Sequence, residues 1–219
     1  MKAYTSNNIR NIAVLGHGGK GKTTLCEAML YIAGASDRLG RVADGNTVLD
    51  FDSEEKRRKS SVSSAIAALE WDNTKLNIID APGLFDFEGG AAEAVRAAEA
   101  VLIVTSAGSG VDVGTEKAFR AAEKKGAAKF FAVTKTDSDH RNFYKTFDAL
   151  KEVYGNKLCP TIIPYMEGNI TKCYVNLMTG MAFSYDENGK ATKVPVPEDS
   201  VIEEMTSAFM EAGGTTEDA

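Results

Sequence analysis

Short apolar runs alternate with stretches of helical periodicity over the first 165 residues. Ile9 to Leu15 reads as a buried strand, and Leu25, Met29 and Ile32 recur at helical spacing in a helix from Thr24 to Ala33, with Gly34 as its C-cap. Ala35 to Arg58 combines Gly40, Gly45 and Asn46 with dense charge and little periodicity, so a mobile connection is expected. Ser60 to Glu70, a turn at Asp72-Asn73 and the run from Leu76 to Asp80 predict an antiparallel hairpin. A helix over Ala91 to Ala100, a strand over Val101 to Thr105, a helix over Thr115 to Lys125 closed by Gly126, and a strand over Lys129 to Val133 follow. Phe143, Phe147 and Leu150 mark a further helix ending at Gly155, and Pro160 to Pro164 a short strand. Continuous apolar strands separated by amphipathic helices predict an α/β fold, a mostly parallel sheet covered by helices on both faces.

Beyond Tyr165 the texture changes. Thr171 to Leu177 and Met181 to Tyr185 read as short strands, Asn188-Gly189 as a hairpin turn before Ala191 to Val194, and Ser200 with Glu203 as a capping box opening a last helix. This predicts two parts, residues 1–165 and a small α+β unit over 166–219.

Bulk properties narrow the function classes. With 25 basic and 31 acidic residues the net charge is -6, which gives no electrostatic support for nucleic-acid binding, and direct DNA binding is not expected. Cys26, Cys159 and Cys173 show no metal-ligand spacing and read as reduced core thiols. No stretch approaches the apolar length of a membrane span, so a cytoplasmic protein without membrane contact is expected.

The chemistry is concentrated at the ends of the predicted strands. Gly16 to Thr24 matches the phosphate-binding loop G-x-x-x-x-G-K-[ST] between a strand and a helix. In that setting backbone amides and a helix N-terminus converge on phosphate oxygens, Lys22 bridges the outer phosphates and the Thr23 hydroxyl holds Mg²⁺. The candidate nucleotide-binding residues are therefore His17, Gly18, Gly19, Lys20, Gly21, Lys22, Thr23 and Thr24. Asp80-Ala81-Pro82-Gly83 closes another strand as a D-x-x-G element, offering a carboxylate toward Mg²⁺ and a glycine amide toward the terminal phosphate. Thr134-Lys135-Thr136-Asp137 follows a third strand and is similar to the base-reading motif N-K-x-D. There Asp137 accepts from guanine N1 and N2, and Lys135 lies along the base and fixes the loop.

These motifs, in this order, resemble the N-terminal GTP-binding domain of translation elongation factor G, and its divergent paralogues more than the standard factor. The likeness runs through Ile9 to Ile12, the phosphate loop, Asp44-Gly45, Asp50, the Asp80 to Phe87 segment, Gly110-Val111 and Glu116, and continues past Asp137. It implies a phosphate-loop NTPase fold followed by the start of a G′-type insertion, GTP and GDP as ligands with Mg²⁺, hydrolysis coupled to switch-loop changes, and the ribosome as partner. It aligns Ser61 with the switch threonine that contacts Mg²⁺, so the implied metal set is Thr23, Ser61 and Asp80, and the implied catalytic set is Lys22, Gly83 and Leu84. The chain also lacks a candidate for the family's fifth guanine motif, from which a fragment or a shortened relative is expected.

The chain departs from the pattern at three places. Leu84 stands where the family has the histidine that positions the attacking water, and leucine has no hydrogen-bonding group. Gly19 replaces a loop aspartate, and Arg58-Lys59-Ser60-Ser61 replaces R-G-I-T. Two alternatives follow: a protein that binds GTP, cleaves it poorly and uses it to gate ribosome binding, and an ATPase of the deviant phosphate-loop group, which Asp137 argues against. His17 reads as a loop-shaping residue and the charge run Glu54 to Lys59 as solvated surface.

Overall fold

The computed structural model describes residues 3–136, 142–155, 158–168, 170–186 and 189–215. Two compact units result, Met1–Lys135 and Thr136–Ala219.

The first unit is built on strands β1 (Ile9–Leu15), β2 (Ala65–Trp71), β3 (Thr74–Asp80), β4 (Ala100–Ser106) and β5 (Ala128–Thr134), in the spatial order β2-β3-β1-β4-β5. All pairs are parallel except β2 with β3, the expected hairpin. Its helices are α1 (Lys22–Ile32), α2 (Ser53–Arg58), α3 (Glu88–Ala97) and α4 (Val113–Lys125). Continuous apolar strands are explained by burial on both faces. Along β1, Ala13 and Leu15 join a cluster with Ala94, Val95 and Ala98 of the α3 region and Ala118 and Ala122 of α4, while Val14 points the other way, into a cluster with Cys26 and Leu30 of α1 and with Leu49. This period of two places helices over both faces of the sheet, and the loops that begin the motifs at Gly16, Asp80 and Thr134 follow the carboxyl ends of β1, β3 and β5, the edge where open α/β sheets bind ligands.

The second unit, described by itself, is an antiparallel meander of β6 (Ile162–Glu167), β7 (Ile170–Asn176), β8 (Met181–Tyr185) and β9 (Ala191–Val194). With it pack α5 (Phe143–Tyr154) and α6 (Ser200–Glu211), through Phe147, Ile202, Met205 and Phe209 against Ile163, Val175 and Ala182.

Several expectations change. Packing divides the chain at Lys135 rather than Tyr165, because α5 and β6 contribute Phe147 and Ile163 to the second core and β6 pairs with β7, not with the parallel sheet. The connection over 35–58 contains α2, whose start is fixed by a capping box: Asp52 accepts from the helix amides and the Glu55 side chain accepts the Asp52 amide. Residues 60–64 lie outside the hairpin, which starts at Ala65. Asp199, not Ser200, caps α6, its carboxylate accepting the Val201 amide at 2.8 Å. Of the Asn188-Gly189 turn, Asn188 lies outside the described residues.

Candidate functional site

The loop from Gly16 to Gly21 joins β1 to α1 through backbone conformations that glycine supplies: φ is +73° at Gly19 and +86° at Gly21. A Cβ on Gly16 would overlap the Val104 carbonyl of β4, so the loop leaves the sheet in close contact with its neighbour strand. Lys22, in the first turn of α1 and 6% exposed, donates to the His17 carbonyl at 3.2 Å, folding its ammonium back over the loop. Burial pulls that ammonium below the ordinary lysine range, against the opposing attraction of Asp80.

Gly83 is pressed against this arrangement. A Cβ there would sit on the Lys22 ammonium, 2.7 Å from the Gly18 nitrogen and 2.9 Å from the Gly16 carbonyl. The D-x-x-G segment and the phosphate loop are therefore one structure, brought together by the parallel pairing of β1 with β3 that sets Val14 opposite Asp80.

Between them lies a cluster of hydroxyls and carboxylates. Thr23 Oγ1 donates to Asp80 Oδ2 at 2.6 Å and lies 3.1 Å from Ser61 Oγ, and Ser61 Oγ donates to Asp50 Oδ1 at 2.7 Å. Asp80 Oδ1 and Asp50 Oδ2 are buried with no hydrogen-bond partner. Burial raises both acids; Asp80, 1% exposed, is pushed up to about 7 despite its Thr23 hydrogen bond and the nearby Lys22. Unpartnered carboxylate oxygens beside two hydroxyls make an oxygen-only donor set, the kind that fits a hard divalent cation. The expected metal residues Thr23, Ser61 and Asp80 meet here, and Asp50 joins them.

The base-reading loop is tied to the phosphate loop from the other side. Thr134 Oγ1, at the end of β5, donates toward the Lys20 carbonyl at 2.7 Å and lies 3.0 Å from the Thr105 carbonyl. Lys135, with φ of +57°, reaches across to the Gly19 carbonyl at 2.7 Å. Asp137, the base-reading candidate, lies outside the described residues.

Three loop residues take more specific places. Lys20 points to Asp112 at 3.1 Å and to Ser106 at 3.4 Å, linking the loop to the N-cap of α4. Burial would raise Asp112, but the Thr115 amide and hydroxyl and the Lys20 ammonium outweigh it and hold the carboxyl low. His17 packs its backbone on Gly114, where a Cβ would fall 2.6 Å from the His17 Cα, and its ring meets Phe85 edge-on at 5.4 Å. Thr24 is exposed on the first turn of α1.

Leu84 is 39% exposed and reaches back over Gly18, its Cδ2 lying 3.0 Å from where a Cβ at that position would be. An apolar cleft of about 430 Å³ begins beneath it, lined by Pro82, Leu84, Phe85, Ala91, Ala118 and others. An aliphatic group thus stands where the segment after D-x-x-G approaches the loop.

The combination of glycine cradle, buried lysine and hydroxyl–carboxylate cluster fits a nucleoside-triphosphate site, and the family model "Elongation factor Tu GTP binding domain" matches residues 7–212. The chain belongs to the elongation factor Tu GTP-binding domain family. It is 34% identical over 204 residues to an elongation factor G-like protein of Mycobacterium tuberculosis, covering 93% of this chain and 28% of that protein. It is 29% identical over 215 residues to elongation factor G of Mycoplasma genitalium, covering 96% of this chain and 31% of that one. A crystal structure of a protein from Thermus thermophilus superposes with a TM-score of 0.86 at 36% identity, over 93% of this chain and 30% of that one. The chain thus spans less than a third of the length of these relatives.

Within this GTP-binding domain the sequence motifs leave out three groups of residues: Asp50 in the hydroxyl–carboxylate cluster, Asp112 as the partner of Lys20, and Glu27 and Glu55, buried carboxylates that accept backbone amides beside that cluster. The spacing Asp52-x-x-Glu55 before a short charged helix is the one local signal that marks any of them.

Proposed function

We propose that the first unit binds GTP and GDP with Mg²⁺ and hydrolyses GTP slowly, as the switch-bearing module of a ribosome-associated, cytoplasmic translation factor whose second unit is a G′-type addition. The observation that carries this reading is the contact of Gly83 with Lys22 and the phosphate loop beside the Thr23–Asp80–Ser61–Asp50 cluster. In this reading His17 to Thr24 cradle the phosphates, Lys22 neutralises charge building on the transferred group, and the Gly83 amide faces the terminal phosphate. Thr23, Ser61, Asp80 and Asp50 hold Mg²⁺ directly or through water, and the bound ion supplies charge neutralisation across the phosphates. Thr134 and Lys135 brace the loop from the base side, with Asp137 accepting from guanine.

Leu84 favours a second reading, in which GTP is held but scarcely cleaved and gates ribosome binding. An aliphatic side chain over Gly18 neither accepts a proton from water nor orients it, and the absence of a general base or water-positioning group costs about 10²–10⁴-fold in rate. Multiple-turnover phosphate release with and without ribosomes separates the two readings. Turnover stimulated by ribosomes supports the hydrolase; nucleotide-dependent ribosome association without phosphate release supports the gate. Neither turnover nor association sinks both.

A further inference from the structure

The two lysines of the phosphate loop leave it in different directions. Lys22 folds back to the His17 carbonyl, whereas Lys20, at a position the loop motif leaves open, reaches the connection between β4 and α4. Its ammonium lies 3.1 Å from Asp112 Oδ2 and 3.4 Å from Ser106 Oγ, and the side chains of the ion pair are only 14% and 19% exposed. What Lys20 reaches is firmly built. Asp112 is the N-cap of α4, its Oδ1 accepting the Thr115 amide at 2.9 Å and the Thr115 hydroxyl at 3.0 Å. Ser109 Oγ donates to the Ser106 carbonyl at 2.8 Å and Thr105 Oγ1 to the Gly110 carbonyl at 3.1 Å, which braces the chain between β4 and that cap. The first turn of α4 meets the loop at a second point, where a Cβ on Gly114 would fall 2.6 Å from the His17 Cα.

The residues that the functional reading assigns to the terminal phosphate and the cation use other contacts: Gly83 meets Gly16, Gly18 and Lys22, and Ser61 meets Thr23 and Asp50. The loop is thus held on one side by the D-x-x-G segment and on the other by α4. Removing one partner of a mostly buried ion pair leaves an uncompensated charge, which is relieved only if the loop or the cap shifts. A shifted loop must be ordered again on binding, and that ordering is subtracted from affinity.

We propose that Lys20 and Asp112 are positioning residues for the phosphate loop. The pair fastens the loop backbone to the first turn of α4, and so supports the phosphates that GTP and GDP have in common, to the same extent for both. The effect on nucleotide affinity rests on the guanine-nucleotide reading above; the ion pair itself does not.

The test is calorimetry of GTP and GDP binding in Mg²⁺ to the wild-type chain, to Lys20→Met, to Asp112→Asn and to the double variant. Asparagine caps helices as well as aspartate does, so Asp112→Asn keeps the acceptor for Thr115 and loses only the charge facing Lys20. Each single variant is expected to weaken GTP and GDP by the same factor, about 10-fold, within the coupling shown by residues in contact. The double variant should lose no more than the worse single one, instead of the about 100-fold loss that two independent effects would give. The ratio of GTP to GDP affinity should match the wild type in all three.

Wild-type affinity in Asp112→Asn overturns the proposal, since it would leave Asp112 only its capping role. Losses that multiply in the double variant overturn it as well, because the two side chains would then not act as a pair, and so does a changed ratio of GTP to GDP affinity, which would place the effect in the segments that answer to the terminal phosphate. A wild type that binds neither guanine nucleotide sinks the functional reading and the proposal with it, whereas a wild type that binds both and is matched by its variants sinks the proposal alone. Should Lys20→Met not fold, Lys20→Gln, which keeps a polar end toward Ser106, takes its place in the cycle with the same expected losses.

Discussion

Thr23 Oγ1 donates to Asp80 Oδ2 at 2.6 Å, joining the first turn of α1 to the last residue of β3 and leaving Asp80 Oδ1 buried without a partner. A carboxylate so placed is poorly solvated, and only Lys22 and the Thr23 hydroxyl offset the burial while Asp50 and Glu27 oppose them. The site is therefore built for function at a cost in stability, and that cost depends on pH.

Asp80 is held near 7 in the folded chain against an ordinary 3.8, so between those values the folded state binds more protons than the unfolded one. Its contribution to stability is complete at about pH 4, falls as pH rises toward 7, and stays low above that; the whole effect is at most about 4 kcal/mol. Asp80→Asn keeps an acceptor for Thr23 and removes the buried charge. In denaturant unfolding without nucleotide, the variant is expected to match the wild type near pH 4 and to exceed it at pH 8 by about 1–3 kcal/mol. Parallel pH profiles for the two proteins would contradict this. The same variant should need more Mg²⁺ to bind GTP.

Gly83→Ala places a methyl on the Lys22 ammonium and against Gly18 and Gly16. Overpacking of this kind costs about 1–3 kcal/mol, here taken from the contact between the D-x-x-G segment and the loop. GTP affinity by calorimetry should fall at least about 10-fold, the size of effect that corresponds to 1.4 kcal/mol. Gly89→Ala in α3 is the control: nothing lies within 4 Å of its Cβ, and the variant should bind GTP normally while gaining about 0.5–1 kcal/mol in stability. Equal losses in both would show that Gly83 has no special contact.

Leu84→His restores a side chain able to orient water beside the loop. Single-turnover GTP hydrolysis is expected to rise at least about 10-fold with GTP affinity unchanged, within the range that general-base and water-positioning groups supply. A rate equal to wild type would show that Leu84 is not what limits the chemistry.

Much of this is legible in the sequence because it rests on local or periodic signals. The strand–loop–helix around Gly16 to Lys22, the hairpin before Asp80 and the apolar runs of β4 and β5 each carry their own pattern, and parallel pairing then brings the motifs to one edge. What does not show depends on contacts distant in sequence. Glu27 reads as one polar helix position until Val48 and Leu49 fold onto it, and Asp50 carries a family likeness but no assigned role until Ser61 reaches it across 11 residues. The division at Lys135 is hidden because the apolar run of β6 looks the same whether it joins a parallel sheet or the meander through β7. Ser200 and Asp199 are both good caps, and only the backbone geometry decides between them.

Calorimetry of GTP, GDP and ATP binding to this chain in Mg²⁺ is the most direct measurement. GTP and GDP are expected to bind, and ATP at least about 100-fold more weakly, because a site that hydrogen-bonds the guanine edge leaves buried groups unpaired when adenine enters. Equal affinity for ATP, or no heat with either guanine nucleotide, would contradict the reading of this fold as a guanine-selective nucleotide site.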